Sequence, residues 1–243
     1  MRRQLGEPLS CRAVPDLTQA LRTTGAVRQF RPDPVPDEVL ERVLDNARFA
    51  PSGGNRQSWR VVVVRDPDER RQLRDIYLEG WYQYLAMSAE GLVPWAPLTD
   101  RAAEDRATAR AREFVPAADA GGFAEHLDEV PVLLLVAADL RALAAVDRDL
   151  DRYTLVGGAS IYPFCWSVLL AAREEGLGGV ITTMVVKSEQ AVRDLVGLPE
   201  ELAVAGLIAL GVPEHQPRRL KRKAVAEFTT VDRYDGPRFG ATG

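Results

Sequence analysis

Ala50-Pro51-Ser52-Gly53-Gly54-Asn55-Arg56-Gln57-Ser58-Trp59 joins two segments of opposite periodicity. Before it, Asp37 and Glu38 open an amphipathic helix whose apolar residues, Val39, Leu40, Val43, Leu44 and Ala47, fall on one face. After it, Trp59 to Val64 is a β-branched run stopped by Asp66-Pro67, which predicts a buried strand. The joining loop is rich in amides. Asn and Gln pair donors with acceptors and suit the edge of a planar heterocycle, and two glycines let backbone approach closely. A plain helix-to-strand turn is the alternative.

Working towards the N-terminus, Arg31 to Pro36 carries three prolines and cannot be helical. Ahead of it lies Arg22-Thr23-Thr24-Gly25-Ala26-Val27-Arg28-Gln29-Phe30. Asp16 is the expected N-cap of a short helix ending near Thr23-Thr24-Gly25. Two guanidinium groups and two hydroxyls at that end suit a phosphate, or are solvated surface charge. Residues 1–14 read as an N-terminal arm.

Towards the C-terminus, residues 68–79 read as helix. Residues 80–128 hold Trp81, Tyr82, Tyr84 and Trp95, with a polar helical stretch from Asp100 to Glu113, and read as a helical excursion over a pocket or surface. Val132 to Ala138 is predicted as a second buried strand. A long helix is predicted from Asp151 to about Glu175, ended by Gly176. Val180–Val186 and Ala203–Leu210 are the third and fourth strands, with a helix at Glu189–Val196 between them. Arg218 to Lys223 places five cations within six residues, either a basic tail or a second contribution to an anion site. Phe228 to Tyr234 could form a strand with no evident partner in its own chain.

Composition narrows the class. With 46% apolar and 27% charged residues, the chain has the composition of a folded protein and not of a disordered one. Its 243 residues suit one domain. A formal net charge of −4 argues against nucleic acid, so any anion site must be local. Cys11, Cys165, His126 and His215 show no metal-ligand spacing. No apolar run is long enough to span a bilayer, and no signal-peptide core follows Arg2 and Arg3, so a soluble cytoplasmic protein is expected. Alternating strands and helices give a mixed α and β class. No dinucleotide or P-loop glycine motif follows a strand.

Taken together, Arg22 to Phe30, Pro34-Val35-Pro36 and Ala50 to Trp59 resemble, in order and spacing, the N-terminal pattern of the nitroreductase family. Gly176-Leu177-Gly178-Gly179-Val180 resembles its late helix-to-strand turn. Gly211-Val212-Pro213, the basic stretch and Glu227-Phe228 resemble its C-terminal pattern. The resemblance covers roughly residues 20–65 and 155–235. It implies a single α+β domain over residues 1–243, with a central mixed sheet flanked by helices. It also implies a homodimer binding two FMN molecules, with the extension near 215–243 exchanged as a strand onto the partner.

By position, the resemblance places Arg22, Thr23, Thr24 and Arg28 at the FMN phosphate and ribityl chain, with Lys221 and Lys223 closing the phosphate. Pro51, Ser52, Asn55 and Gln57 would approach the flavin from the other subunit, and Ile181, Thr182 and Thr183 would lie along its ring. Candidate substrate-pocket residues are Trp81, Tyr84, Trp95, Phe114 and Tyr162, or these are core and lid packing. Many family members have a basic residue in place of Gly25, Pro in place of Ser58 and Gly near Met184. The implied activity is ping-pong hydride transfer from NAD(P)H, through flavin N5, to a nitroaromatic, quinone or similar acceptor. It needs no catalytic side chain of its own. A specialised flavin dehydrogenase or dehalogenase of the same fold is the alternative reading, and a flavin-binding protein without turnover is a third.

Overall fold

The computed structural model describes residues 15–116 and 121–240. Four strands form one sheet in the order β1-β2-β4-β3: β1 Trp59–Val64, β2 Val132–Asp139, β3 Gly178–Thr182 and β4 Leu202–Gly211. All three pairings are antiparallel, so the sheet is not mixed within this chain. The strands do alternate with helices. Long connections, however, set β2 and β3, which run the same way, on opposite sides of β4, so no parallel neighbours arise.

The central strand organises the layers. Every residue of β2 is buried. Val132, Leu134, Val136 and Ala138 point into one apolar layer, and Leu133 and Leu135 into the other, as the two-residue period of a strand requires. On the first face lie α2 (Asp37–Ala47) and α5 (Tyr162–Glu174), through Val39, Val43, Phe164 and Val168. On the second lie α3 (Pro67–Ala89) and α6 (Glu189–Val196), through Leu73, Tyr77 and Val192. A β-bulge in β4, opposite Val136 and Ala137, inserts Ala205, so Val204 and Leu207 face the same layer.

Local rules account for the helix ends. Asp16 accepts a hydrogen bond from the Gln19 N–H at 2.8 Å and caps α1 (Leu17–Thr23), as expected. Asp66 caps α3 by accepting from the Asp68 and Glu69 N–H groups, with Pro67 in the first turn. α4 (Arg101–Thr108) covers the first part of the expected polar stretch, and a 3-10 turn at Ala111–Phe114 covers the rest. Arg70 ties the excursion back to the sheet. Its guanidinium donates to the carbonyls of Val64, Asp128 and Val130.

Several expected boundaries move. β1 is an edge strand, and only Val64 in it is buried. α3 continues ten residues past the expected end at residue 79, to Ala89. α5 starts at Tyr162 and not at Asp151. Pro163 lacks the N–H an interior position needs, and the preceding turn is held elsewhere: Asp147 accepts from the N–H groups of Leu155 and Val156. β3 ends at Thr182, after which Met184–Ser188 is a 3-10 turn. Pairing of β3 stops at Leu207, where the β4 bulge begins.

The tail forms no strand among the described residues. Val225–Glu227 is a 3-10 turn in which the Glu227 carboxylate accepts from the Ala224 N–H, and Thr230 makes an isolated bridge to Arg238. The N-terminal arm, with Cys11, lies outside the described residues, whereas Cys165 is buried, and burial pushes its thiol pKa up to about 12. No described helix is long and apolar enough to cross a membrane.

Because Leu134 is fully buried in β2, Leu134→Ala is expected to cost about 2–5 kcal/mol in urea unfolding. Leu98→Ala, at a residue 95% exposed, should stay within about 0.5 kcal/mol.

Candidate active site

A strap, a helix and a turn meet over the end of β3. The strap is the segment after α1. Its Val27 N–H donates to the Gly179 carbonyl at 2.9 Å, and its Arg31 N–H donates to Val212 at 2.8 Å. The Glu214 N–H donates to Gln29, and Phe30 bridges Pro213. Val27 is buried in this arrangement, and the next residue, Arg28, faces outward. Arg28 then lines a cleft of about 850 Å³ together with Tyr77, Trp81, Tyr84, Phe123 and Thr182. That size suits a cofactor or a drug-sized ligand.

One wall of the cleft is aromatic because α3 carries Tyr77, Trp81 and Tyr84 four and three residues apart, on one helical face. Trp81 and Tyr84 stack with centroids 5.4 Å apart and planes at 8°. Tyr77 lies 6.4 Å from Trp81 and meets Phe123 edge-on. Thr182 donates a hydrogen bond to the Tyr77 hydroxyl at 3.2 Å. Burial pushes the Tyr77 phenol up, with the Thr182 hydrogen bond and Arg28 opposing, so it stays protonated at neutral pH.

A smaller cleft of about 380 Å³ opens on the other side of Met184, lined by Trp95, Tyr162, Thr183, Lys187 and the bulge residue Ala205. Lys187 sits over the Trp95 ring, 5.8 Å from its centroid, and Tyr162 donates to the Ala205 carbonyl. Met184 lines both clefts. It fits because residue 80 is glycine: a Cβ there would come within 3.0 Å of the Met184 side chain and 3.2 Å of its carbonyl.

The two basic segments, far apart in sequence, lie against each other. Gln216 donates from Nε2 to the Thr23 carbonyl at 3.1 Å. A Cβ at Gly25 would stand 2.7 Å from Leu220 and 3.2 Å from Pro217. The C-terminal segment therefore occupies the space a larger residue at position 25 would need. Arg22, Lys221 and Lys223 are exposed around this junction, while Thr23 spends its hydroxyl on the Gln19 carbonyl. Thr24 is buried, and its hydroxyl has no hydrogen-bond partner among the described residues.

The loop at 51–57 is brought to neither cleft within this chain. Gly53 N–H donates to the Ser160 hydroxyl at 3.0 Å, Gln57 N–H donates to Ser52 Oγ, and the Gln57 amide reaches Asn55 at 3.4 Å. Pro51, Asn55 and Gln57 are exposed. Asn55 at φ 53° and Gln57 at φ 49° are left-handed, each costing about 1–3 kcal/mol, so the loop is held in a costly shape on the surface.

Of the expected pocket residues, Trp81 and Tyr84 line the large cleft and Trp95 and Tyr162 the small one. Phe114 lines neither of the two, because its turn packs along α3 instead. Thr182 and Thr183 flank the partition, whereas Ile181 packs against the α2/α5 layer. Sequence reading missed Gln29, Tyr77, Phe123, Glu125 and His215 as cleft residues. Tyr77 had a signal, standing one turn before Trp81 once the helix is continued past residue 79. Phe123 and Glu125 had none.

Fold and cleft define an α+β protein with an aromatic cleft of cofactor size beside a basic junction. A model of the Nitroreductase family matches residues 21–212, and the chain belongs to that family. It is 33% identical over 199 residues to a protein described as NADH dehydrogenase from Thermus thermophilus, spanning 79% of this chain and 83% of that one. It is 28% identical over 205 residues to iodotyrosine deiodinase 1 of Mus musculus, covering 84% of this chain but only 65% of the deiodinase. Two solved structures share the fold. One is NADPH:FMN oxidoreductase from Vibrio harveyi complexed with NAD+, with TM-score 0.60 at 21% identity over 89% of this chain and 77% of the other. The second is oxidized iodotyrosine deiodinase bound to FMN and 3-iodo-L-tyrosine, with TM-score 0.60 at 24% identity over 88% and 99%.

Thr182→Val removes the donor to the buried Tyr77 hydroxyl. It is expected to lower stability by about 0.5–1.5 kcal/mol in urea unfolding.

Proposed function

We propose that this chain is an FMN-dependent oxidoreductase that draws electrons from NAD(P)H and reduces a planar organic acceptor such as a nitroaromatic or a quinone. The observation that carries the reading is the junction of the two basic segments beside the aromatic cleft. There, no carboxylate pairs with Arg22, Arg28, Lys221 or Lys223 among the described residues, and the buried Thr24 hydroxyl is unpartnered. A phosphate would meet charge-assisted donors from both segments. The cleft behind them has room for a planar ring system. The residues present therefore fit FMN.

When bound, FMN would supply the hydride-transfer chemistry between NAD(P)H and the acceptor. The chain's own residues bind and orient. Arg22, Thr23, Thr24 and Arg28 hold the phosphate and ribityl end, and Lys221 and Lys223 close over it. Thr182 and Thr183, with Ile181 behind them, set the edge of the ring. Trp81 and Tyr84 offer a flat apolar face to the acceptor, and Met184 keeps it out of the small cleft.

In this reading the assembly is a homodimer, and Pro51, Ser52, Asn55 and Gln57 serve the partner's site. Two features support it. The loop is exposed and fixed in a costly conformation in its own chain. Among the described residues the outer edge of β1 has no neighbour in the sheet, while the tail exposes Phe228, Tyr234 and Phe239. Exchange of the tail onto the partner would cover both the edge and those side chains.

The likeness to iodotyrosine deiodinase supports a second reading, reductive dehalogenation at the same site. The two are separated by product: a nitroaromatic consumed at the expense of NAD(P)H, or halide released from a halogenated phenol. For the first reading, the flavin bands of the purified protein should bleach on anaerobic addition of NADPH or NADH and return with a nitroaromatic. Bands untouched by either nicotinamide would contradict it. Arg28→Ala should weaken FMN binding by about 1.5–3 kcal/mol in a fluorescence titration, the worth of a hydrogen bond to a charged group. An unchanged affinity would remove Arg28 from the site.

A further inference from the structure

Glu125 is the acidic residue lining the large cleft, and nothing above uses it. It is half-buried within the turn at residues 123–126, whose Ala124 is buried in the α3/α6 layer. Its carboxylate is held in place: the Gly122 N–H donates to it at 2.7 Å, and the Tyr82 hydroxyl hydrogen-bonds to it. Both partners are neutral. The neighbouring acids differ, because Asp128 pairs with Arg74 and Glu129 with His126. No cation pairs with Glu125 among the described residues.

An unneutralised carboxylate at the wall of an aromatic cleft is a selective feature. Aromatic walls lower the local dielectric, so the charge acts more strongly on a ligand than it would in water. The faces of Trp81 and Tyr84 attract cations in the same direction. The basic junction adjoins the strap that carries Arg28, and Glu125 is contributed by the separate turn at residues 123–126. The cleft thus carries both signs of charge, Arg28 from the strap and Glu125 from the turn, and both act on the Tyr77 hydroxyl.

We infer that Glu125 is a specificity-determining residue that makes the cleft prefer planar acceptors carrying a positively charged amine. This rests on the oxidoreductase reading above and adds the substrate class to it. Negatively charged aromatic acids are the disfavoured class, since Glu125 would repel them across the cleft.

The test uses the full-length protein with bound FMN and three para-substituted nitrobenzenes: nitrobenzylamine, nitrobenzyl alcohol and nitrobenzoate. Steady-state kcat/KM is expected to fall by about tenfold from the cationic to the neutral acceptor, and again to the anionic one, a modest effect for one charge in such a site. Glu125→Gln keeps an oxygen for the Gly122 N–H while removing the charge, so the cationic-to-neutral ratio should collapse towards one. Glu125→Asp should retain part of it. Calorimetric binding of the same three compounds reads the preference without turnover. A cationic preference in binding that Glu125→Gln abolishes supports the inference even where no acceptor is reduced, an outcome that would sink only the redox reading. Equal kcat/KM and equal binding across the three, or a preference that survives Glu125→Gln, would overturn the inference.

Discussion

Burial of β2 on both faces is the constraint from which the rest of the molecule follows. Eight consecutive residues from Val132 to Asp139 are buried. A strand in that position needs a neighbour on each edge and an apolar layer on each face. β1 and β4 supply the edges, α2 with α5 one layer, and α3 with α6 the other. The strand's polar end is closed by charge. Asp139 is held by Arg141 and Arg60, and hydrogen bonding to Arg141 first of all, against burial, keeps its carboxyl at about 2.

The same arrangement makes the cleft. β3 needs only β4 as a sheet neighbour, and its other side is covered by the strap through Val27 and Gly179. That contact fixes Arg28 at the cleft. The β4 bulge ends β3 pairing and releases the chain into the 3-10 turn that carries Met184 and Lys187 between the two clefts. Bulges re-aim side chains, and here the bulge residue Ala205 lines the small cleft. The closeness of Gly25 to Leu220 likewise joins two charged segments almost two hundred residues apart. Folding thereby concentrates positive charge locally in an acidic chain.

Much of the architecture was legible in the sequence. α2 followed from its single apolar face, the start of α1 from Asp16 and its end from the stretch up to Gly25, and β2 from its apolar run. What failed did so for identifiable reasons. The small-residue stretch at Gly157-Gly158 read as helix, yet Pro163 and the Asp147 carboxylate delay helix formation to Tyr162. Val185 and Val186 read as strand because they are β-branched, but β4 offers no pairing beyond Leu207. The helix expected to stop at residue 79 runs on to Ala89, and Gly80 within it leaves space for Met184. At the large cleft, Arg28, Trp81, Tyr84 and Thr182 are legible in the sequence. Tyr77 was hidden by a helix read too short. Glu125 was hidden because its position depends on how the excursion folds back over α3, which no local pattern encodes.

The central claim is that one FMN site is assembled from the strap and β3 end of one chain and the amide loop of another. A crystal structure of the protein grown with FMN tests it most directly. The account predicts a dimer with FMN in the large cleft, its phosphate against Arg28 and the C-terminal lysines, and the partner subunit's Asn55 and Gln57 at the flavin. FMN bound elsewhere, or bound by a monomer whose own 51–57 loop stays remote from it, would contradict the account.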